Sequence, residues 1–208
     1  MGEKEILIQE LIEGGYLHTK RIIDAFKKID RKDFVPAEEI ESAYENIPLS
    51  IGFGQTISQP LTVAFMLELL DPKPGEKILD IGSGSGWTSA LLAYCVGEKG
   101  KVYAIERIPQ LAEFGKKNIA KYNFIKKKRV EVFCKDGSKG LEEKAPFDKI
   151  LSGAMAKEVP LAWKKQLKIG GKIVTPLNGS IFLLEKIDKE NFKETEFPGF
   201  AFVPLIEG

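Results

Sequence analysis

A short strand that runs directly into three alternating glycines constrains the fold of this chain more than any other feature. Residues 77–81 form an apolar run typical of a buried strand, and Gly82, Gly84 and Gly86 follow before Trp87 opens a helical pattern. Glycine at such a turn lets the backbone bend tightly and lets a ligand approach it, because no Cβ stands in the way. The pattern predicts a cofactor loop at the carboxyl end of a strand in an α/β sheet.

Apolar segments alternate with helical segments beyond this loop, which predicts a mostly parallel, Rossmann-like sheet with helices on both faces. We expect strands near residues 77–81, 101–106, 130–134, 147–152 and 171–176, and helices near 87–96, 109–122 and 158–167. Two last strands without a helix between them predict an antiparallel C-terminal edge at residues 180–187 and 200–205.

The first third of the chain has a different pattern. Residues 6–12 and 22–29 show helical spacing, the second group after Thr19 as an N-cap, and they predict an N-terminal helical layer. Residues 33–59 show no sustained period and contain prolines and glycines, so we expect a long irregular connection of the kind that is often functional. Pro60 suits the first turn of the helix that follows.

Length and charge fit a single domain with a small or locally recognised partner. We divide the 208 residues into an N-terminal helical and substrate-loop region (1–59), a cofactor-binding core (60–176) and C-terminal strands (177–208). The formal net charge is +1, which provides no overall field to attract nucleic acid or an anionic membrane. The charged N-terminus resembles no signal peptide, and no apolar run is long enough to span a bilayer. We expect a cytoplasmic monomer without a nucleic-acid or membrane partner.

Histidine and cysteine are scarce, which excludes several kinds of site. His18 is the single histidine, and Cys95 and Cys134 are the two cysteines. These are too few for the usual zinc sites or for a triad built on histidine, so we expect no bound metal. Both cysteines lie in apolar runs, and we expect both to be buried, reduced and structural.

The residues around the glycine loop favour S-adenosylmethionine over a dinucleotide. Dinucleotide-binding turns carry a further glycine where this chain has Trp87, and the large side chain leaves less room for a pyrophosphate. Glu106 ends a strand about 20 residues past the glycines, where it can accept hydrogen bonds from both ribose hydroxyls. Asp136, before Gly137, follows the next strand and could accept from the adenine amino group, although an Asp-Gly pair alone is also typical of a plain turn.

Residues 52–60, which read Gly-Phe-Gly-Gln-Thr-Ile-Ser-Gln-Pro, resemble the signature segment of the protein-L-isoaspartate (D-aspartate) O-methyltransferases. Further motifs in that family's order extend over nearly the whole chain, among them residues 34–36, 105–107, 136–137 and 202–205. The resemblance implies a class I methyltransferase fold and methyl transfer from S-adenosyl-L-methionine, with S-adenosyl-L-homocysteine as the product. The acceptor it implies is the α-carboxylate of L-isoaspartyl residues in damaged proteins and peptides. Collapse of the ester to a succinimide, and hydrolysis of that ring, would then repair part of the damage.

The resemblance also implies roles for single residues. Ser58 is the expected catalytic residue, whose hydroxyl orients the acceptor carboxylate; another interpretation makes it a helix N-cap ahead of Pro60. No base is needed, because an ionised carboxylate is already a nucleophile. The expected cofactor-binding residues are Gln55, Thr56, Ile57, Asp80, Gly82, Ser83, Gly84, Ser85, Gly86, Glu106, Arg107, Asp136 and Gly137.

Two positions depart from the family's pattern and leave the acceptor open. Many members carry histidine directly after the Ser-x-Pro, and some carry another two residues on, where this chain has Leu61 and Val63. One alternative is therefore a methyltransferase that acts on RNA or a small molecule. Another is a non-catalytic module that binds the cofactor or damaged peptides.

Overall fold

A seven-stranded sheet between two layers of helices and turns forms the core, in a computed structural model that describes residues 2–206. Residues 1, 207 and 208, at the ends of the expected regions 1–59 and 177–208, lie outside the described residues. The helices are α1 (Glu3–Glu13), α2 (Lys20–Lys28), α3 (Pro60–Leu70), α4 (Trp87–Val96), α5 (Pro109–Ala120) and α6 (Leu161–Gln166). The strands are β1 (Leu49–Gly52), β2 (Gln55–Ile57), β3 (Lys77–Ile81), β4 (Lys101–Glu106), β5 (Val130–Cys134), β6 (Phe147–Ser152), β7 (Leu167–Leu177), β8 (Ser180–Lys186) and β9 (Phe192–Pro198).

The strand order of the large sheet is β5-β4-β3-β6-β7-β8-β9. The pairs among β5, β4, β3, β6 and β7 are parallel, and β8 and β9 extend the sheet as an antiparallel edge. This confirms the expected α/β fold of the class I methyltransferase type. None of the helices within residues 2–206 is long and apolar enough to cross a membrane.

Both faces of the sheet are buried, which explains why its central strands are continuously apolar. Successive side chains of a strand point to opposite faces. Ile78 accordingly belongs to the larger core cluster together with Leu91 of α4, whereas Leu79 belongs to the smaller one together with Trp163 of α6. The core therefore fixes β3 from two sides and with it the start of the glycine loop.

Helices α1 and α2 form the expected N-terminal layer, in which α2 packs against α3 and α4 and α1 packs against α2. Thr19 occupies the N-cap position of α2, but its hydroxyl does not cap the helix. It donates to the Glu68 carboxylate at 2.6 Å, and the main-chain amides of His18 and Thr19 donate to the same side chain. The layer is thereby joined to α3 by a polar contact that helical spacing does not reveal.

The expected strand at residues 200–205 is wrong, and the last strand is β9 (Phe192–Pro198) instead. Beta9 pairs along its whole length with β8 as an exposed edge, so it needs no apolar run. At Gly199, with φ of +96°, the chain leaves the sheet. The apolar segment that follows runs next to residue 155, where a single parallel bridge joins Met155 and Pro204.

Other boundaries also differ. Helix α5 ends at Ala120, two residues before its expected end, and α6 begins at Leu161, after Pro160. Strand β7 begins at Leu167, four residues before its expected start. Residues 33–59 are not wholly irregular, because they contain the antiparallel hairpin of β1 and β2. Cys95 is buried as expected, but the expectation for Cys134 is wrong: it ends β5 and is exposed.

Candidate functional site

A cleft, here the first cavity, opens at the carboxyl ends of β3, β4 and β6. In the strand order, β4 lies on one side of β3 and β6 lies on the other. This is the topological switch point, where open α/β sheets bind ligands. The amide of Gly153, just after β6, donates to the carbonyl of Ile81 at 2.8 Å and joins the ends of the two strands.

The glycine loop is fixed by the neighbouring strand. The amides of Gly82 and Ser83 both donate to the carbonyl of Ile105 in β4, at 2.9 and 3.0 Å. Gly82 has φ of +71°, and a Cβ there would stand 3.3 Å from the Cβ of Ala154. Glycine therefore keeps the loop backbone open toward the first cavity, which is where a cofactor would have to approach it.

Gly86 has a different role from the other two loop glycines. Its φ is +85°, and a Cβ would lie 2.9 Å from the carbonyl oxygen of Gly115 in α5 and 2.8 Å from Ile119. The residue lets the loop pack against α5 and does not line the first cavity. The next residue, Trp87, is buried against Phe26 of α2, with ring centroids 5.6 Å apart.

The Glu106 carboxylate is held toward the loop by two main-chain amides. Its Oε2 accepts from Gly84 at 2.9 Å and its Oε1 accepts from Ile108 at 2.9 Å. The side chain is buried and lines the first cavity. A carboxylate has about four lone-pair sites, so these bonds leave acceptor capacity for hydroxyl groups of a ligand.

Asp80, one residue before the end of β3, carries a buried carboxyl group. Burial raises its pKa to about 7; the hydrogen bond from the Ser89 hydroxyl acts in the opposite direction, and the nearby Glu106 raises the pKa further. Near neutral pH the group is therefore divided between its protonated and ionised forms. A cation in the first cavity would favour the ionised form.

Asp136 lies at the expected edge of the sheet, but its carboxylate points to its own turn. Oδ1 accepts from the amide of Ser138 at 2.9 Å and from its hydroxyl at 2.7 Å, which caps the 3-10 turn Gly137–Lys139. Asp136 is not among the lining residues of the first cavity, whereas Gly137 is. A hydrogen bond to adenine stays a prediction.

Ser58 borders the first cavity and also a second cavity, which lies beside it under residues 199–203. The N-cap position of α3 is Gln59, and the amide of Leu61 in the first turn donates to Oδ1 of Asn46 at 2.9 Å. The interpretation of Ser58 as a helix cap is therefore wrong. Within residues 2–206 the Ser58 hydroxyl makes no hydrogen bond.

The segment that was expected to be the last strand covers both cavities. The amide of Met155 donates to the carbonyl of Val203 at 2.8 Å, and the amide of Leu205 donates back to Met155 at 2.7 Å. Val203 borders both cavities, and Phe200 and Phe202 line the second. A piece of chain far from the glycine loop in sequence thus completes the site.

The structure brings most of the expected site residues to one place. Those that line the first cavity are Gln55, Thr56, Ile57, Ser58, Asp80, Gly82, Ser83, Gly84, Ser85, Glu106, Arg107 and Gly137. Of the two positions that depart from the family's pattern, Val63 lines the first cavity and Leu61 lines neither. Gly153 and Ala154 were missed, although they follow β6 just as Gly82 follows β3, and the rule that ligands bind at strand ends could have found them.

Comparison with known proteins gives consistent results. The family model for protein-L-isoaspartate (D-aspartate) O-methyltransferase matches residues 2–208. A protein-L-isoaspartate O-methyltransferase of Methanopyrus kandleri is 42% identical, with 98% of this chain and 91% of the relative covered. One from Ignicoccus hospitalis is 44% identical, with 99% and 98% covered.

A solved structure from Plasmodium falciparum has the same fold. It is described as a protein-L-isoaspartate O-methyltransferase in complex with S-adenosyl-L-homocysteine. The TM-score is 0.89 over 100% of both chains, at 24% sequence identity.

Proposed function

Because the chain belongs to the protein-L-isoaspartate (D-aspartate) O-methyltransferase family, we propose that Ser58 stands between a donor site and an acceptor site. The chain is an S-adenosylmethionine-dependent methyltransferase for the repair of isoaspartyl damage in proteins. In this assignment the first cavity takes the methyl donor and the second takes the L-isoaspartyl residue of the acceptor. The observation that carries the assignment is that Ser58 borders both cavities.

The residues of the first cavity fit the donor. The open backbone at Gly82 suits close approach of a nucleoside, and the remaining lone pairs of Glu106 suit the two ribose hydroxyls. Asp80 provides a carboxyl group that a neighbouring positive charge would ionise. When bound, S-adenosylmethionine supplies an electrophilic methyl group on a positively charged sulfur.

Ser58 orients the acceptor, in this proposal, and does not attack it. The hydroxyl donates to one oxygen of the substrate carboxylate, so that the other oxygen is directed at the methyl group that it takes. No proton has to be removed, since a carboxylate is ionised at neutral pH. The work of the protein is therefore to position two reactants and to exclude water, which can remove several kcal/mol from a barrier.

Methyl transfer to a defined peptide tests this function. The enzyme is incubated with labelled S-adenosylmethionine and a peptide that contains one L-isoaspartyl residue, with the matched aspartyl peptide as the control. Label in a base-labile product from the isoaspartyl peptide alone is the expected result. Label that appears only in RNA or in small-molecule extracts would identify a different acceptor, and donor binding without any transfer would identify a binding module.

We also propose that the protein works as a cytoplasmic monomer; its formal net charge of +1 provides no overall field that would attract it to an anionic membrane. Light scattering of the purified protein should give one mass near 23.2 kDa over a range of concentrations. A mass that doubles on concentration would contradict the monomer.

A further inference from the structure

Arg31 is a buried cation that hydrogen-bonds four main-chain carbonyls of the acceptor side. It lies in the 3-10 turn Arg31–Phe34 and is 2% exposed. Nη1 donates to the carbonyls of Ala43 at 2.9 Å and Glu45 at 3.3 Å. Nη2 donates to the carbonyls of Ile47 at 2.9 Å and Ser58 at 3.1 Å. One planar side chain therefore joins residues 43–47, here the anchor segment, to the main chain of Ser58.

Burying the Arg31 guanidinium in this way costs free energy, which would not be needed if the side chain only filled space. Among residues 2–206 no carboxylate lies within ion-pair distance of Arg31, so its partners are neutral carbonyl groups. Burial lowers the pKa of the guanidinium to about 10, with Glu39 acting in the opposite direction, and the group stays charged at neutral pH. Burying a charge without an ionic partner is unfavourable, and an apolar side chain would pack at lower cost.

The anchor segment also contacts the residues after Ser58. The side chain of Gln59 donates to the main-chain carbonyl of Asn46 at 2.7 Å. The Asn46 side chain in turn accepts from the amide of Leu61 at 2.9 Å. Residues 58–61 are therefore held to the anchor segment at three points, two through Asn46 and one through Arg31.

Arg31 also contacts the donor side of the site. Its guanidinium carbon lies 5.3 Å from the centroid of the Trp87 ring. Trp87 lines the first cavity and is the first residue of α4 after the glycine loop. The same guanidinium therefore reaches both the main chain of Ser58 and the end of the cofactor loop.

We propose that Arg31 is a positioning residue for methyl transfer: it fixes the main chain of Ser58 against the anchor segment and Trp87, and so sets where the hydroxyl stands between the two cavities. This inference rests on the proposed role of Ser58. It assigns Arg31 no contact with either substrate, since Arg31 lines neither cavity.

The first test compares Arg31→Lys with Arg21→Lys. Lysine keeps the charge but loses the planar fork that reaches several carbonyls at once. Arg21 is a matched control, because it also joins the N-terminal layer to a main-chain carbonyl, Pro72 at 2.6 Å, and to Asp71, far from Ser58. We expect Arg31→Lys to lower kcat by about 10-fold to 100-fold, the scale for a small misplacement of reacting groups.

Two further readouts separate positioning from a general loss of structure. The dissociation constant for S-adenosyl-L-homocysteine, measured by calorimetry, should stay near the parental value in Arg31→Lys. Arg21→Lys should lower Tm while kcat per folded molecule is kept. An Arg31→Lys enzyme that loses stability but retains the parental kcat would overturn the proposal. If Arg31→Lys does not fold, Asn46→Ala removes the side-chain acceptor of the Leu61 amide, one of the three contacts between residues 58–61 and the anchor segment, and should also lower kcat; parental kcat in that variant would count against positioning by the anchor segment.

A double-mutant cycle asks whether Arg31 acts through Ser58. In the Ser58→Ala background there is no hydroxyl to place, so Arg31→Lys should lower kcat little further. Losses of kcat that multiply in the double mutant would show that the two residues act independently, which contradicts the inference.

Hydrogen exchange decides the question without turnover. The amide hydrogens of residues 55–59 and 61 should exchange faster in Arg31→Lys than in the parent, and at the parental rate in Arg21→Lys. Unchanged rates in both variants would overturn the positioning role. If the parent enzyme methylates no isoaspartyl peptide, the proposed function fails on that result, and the exchange rates still decide whether Arg31 fixes residues 58–61.

Discussion

The donor side and the acceptor side of the site differ in how far apart in the sequence their contacting residues lie. On the donor side, the glycine loop and Glu106, which line the first cavity, are held by their neighbours in one β-α-β unit. The amides of Gly82 and Ser83 donate to Ile105, and the amide of Gly84 donates to Glu106. All of these residues fall within the stretch from β3 to β4.

On the acceptor side, the contacts join distant parts of the chain. Ser58 is held by Arg31, and the segment that covers the second cavity is held at Val203 by Met155. The two cavities nevertheless share Thr56, Ser58, Gly153 and Val203, so both kinds of construction meet in the wall between them. We therefore expect donor binding to depend mainly on the glycine loop and Glu106, whereas turnover also depends on Arg31, which lines neither cavity.

The largest expected effect tests whether the donor side tolerates substitution less well than the acceptor side does. Gly86→Ala places a Cβ 2.9 Å from the Gly115 carbonyl at a positive φ, and should lower the free energy of unfolding by about 4 kcal/mol from clash and strain together. Gly54→Ala, in the acceptor-side hairpin, also has a positive φ but open space around its Cβ, and should cost about 1 kcal/mol. Urea unfolding measures both, and equal losses would remove the contrast.

The next prediction concerns Ser58, where the two sides meet. Ser58→Ala should lower kcat by roughly 100-fold, the scale for removal of one donor to a reacting oxygen, or about 2.7 kcal/mol. Affinity for S-adenosyl-L-homocysteine and Tm should stay near the parental values, because the hydroxyl makes no hydrogen bond within residues 2–206. Single-turnover rates and calorimetry on the same variant check this, and a mutant with parental turnover would end the catalytic assignment.

A smaller effect is expected when Glu106 is removed. Glu106→Ala should weaken the binding of S-adenosyl-L-homocysteine by about 1 to 3 kcal/mol, as expected for hydrogen bonds to a charged group. Glu113→Ala is the control, since that carboxylate lies on the exposed face of α5 and its one ion pair among residues 2–206 is with Lys117 at 3.9 Å. Calorimetry with both variants decides whether Glu106 belongs to the donor site, and NAD should bind neither the parent nor the variants.

The smallest expected effect concerns Leu61, one of the positions that depart from the family's pattern. Leu61 lines neither cavity, so Leu61→Ala should leave kcat/KM for the isoaspartyl peptide within about 0.5 kcal/mol of the parent. Val63→Ala changes the lining of the first cavity and should have the larger effect of the two. Steady-state kinetics compare them, and a greater loss for Leu61→Ala would place the acceptor differently from the second cavity.

The donor side could be predicted from the sequence because its signal is local. One short stretch of the sequence contains the strand, the glycines, the helix and the carboxylate at the end of β4. Each of these can be recognised from the spacing of residue types. Strand β9 was missed because its signal is not local. Its sequence is polar because it is an exposed edge strand, and its hydrogen bonds to β8 hold it in the sheet. The apolar residues 200–205 were taken for a strand because apolar character records burial but not what the segment is buried against.

The acceptor side could be predicted only where the family's signature extends, at residues 52–60. Arg31 and Asn46 carry no spacing signal, because each acts alone and none of its partners lies within ten residues of it. Most of those partners are main-chain groups, which every residue has. The sequence alone does not show whether a main-chain carbonyl accepts a hydrogen bond from Arg31 or faces water.

The hydrogen bonds from Arg31 have a consequence for how this protein can evolve. Because they end on the carbonyls of Ala43, Glu45 and Ile47, they place no demand on the side chains at those positions. Glu45 and Ile47 are exposed, so their side chains are free to diverge between lineages while the backbone beneath them keeps its course. Natural variation can therefore change the exposed side chains of the anchor segment without displacing Ser58.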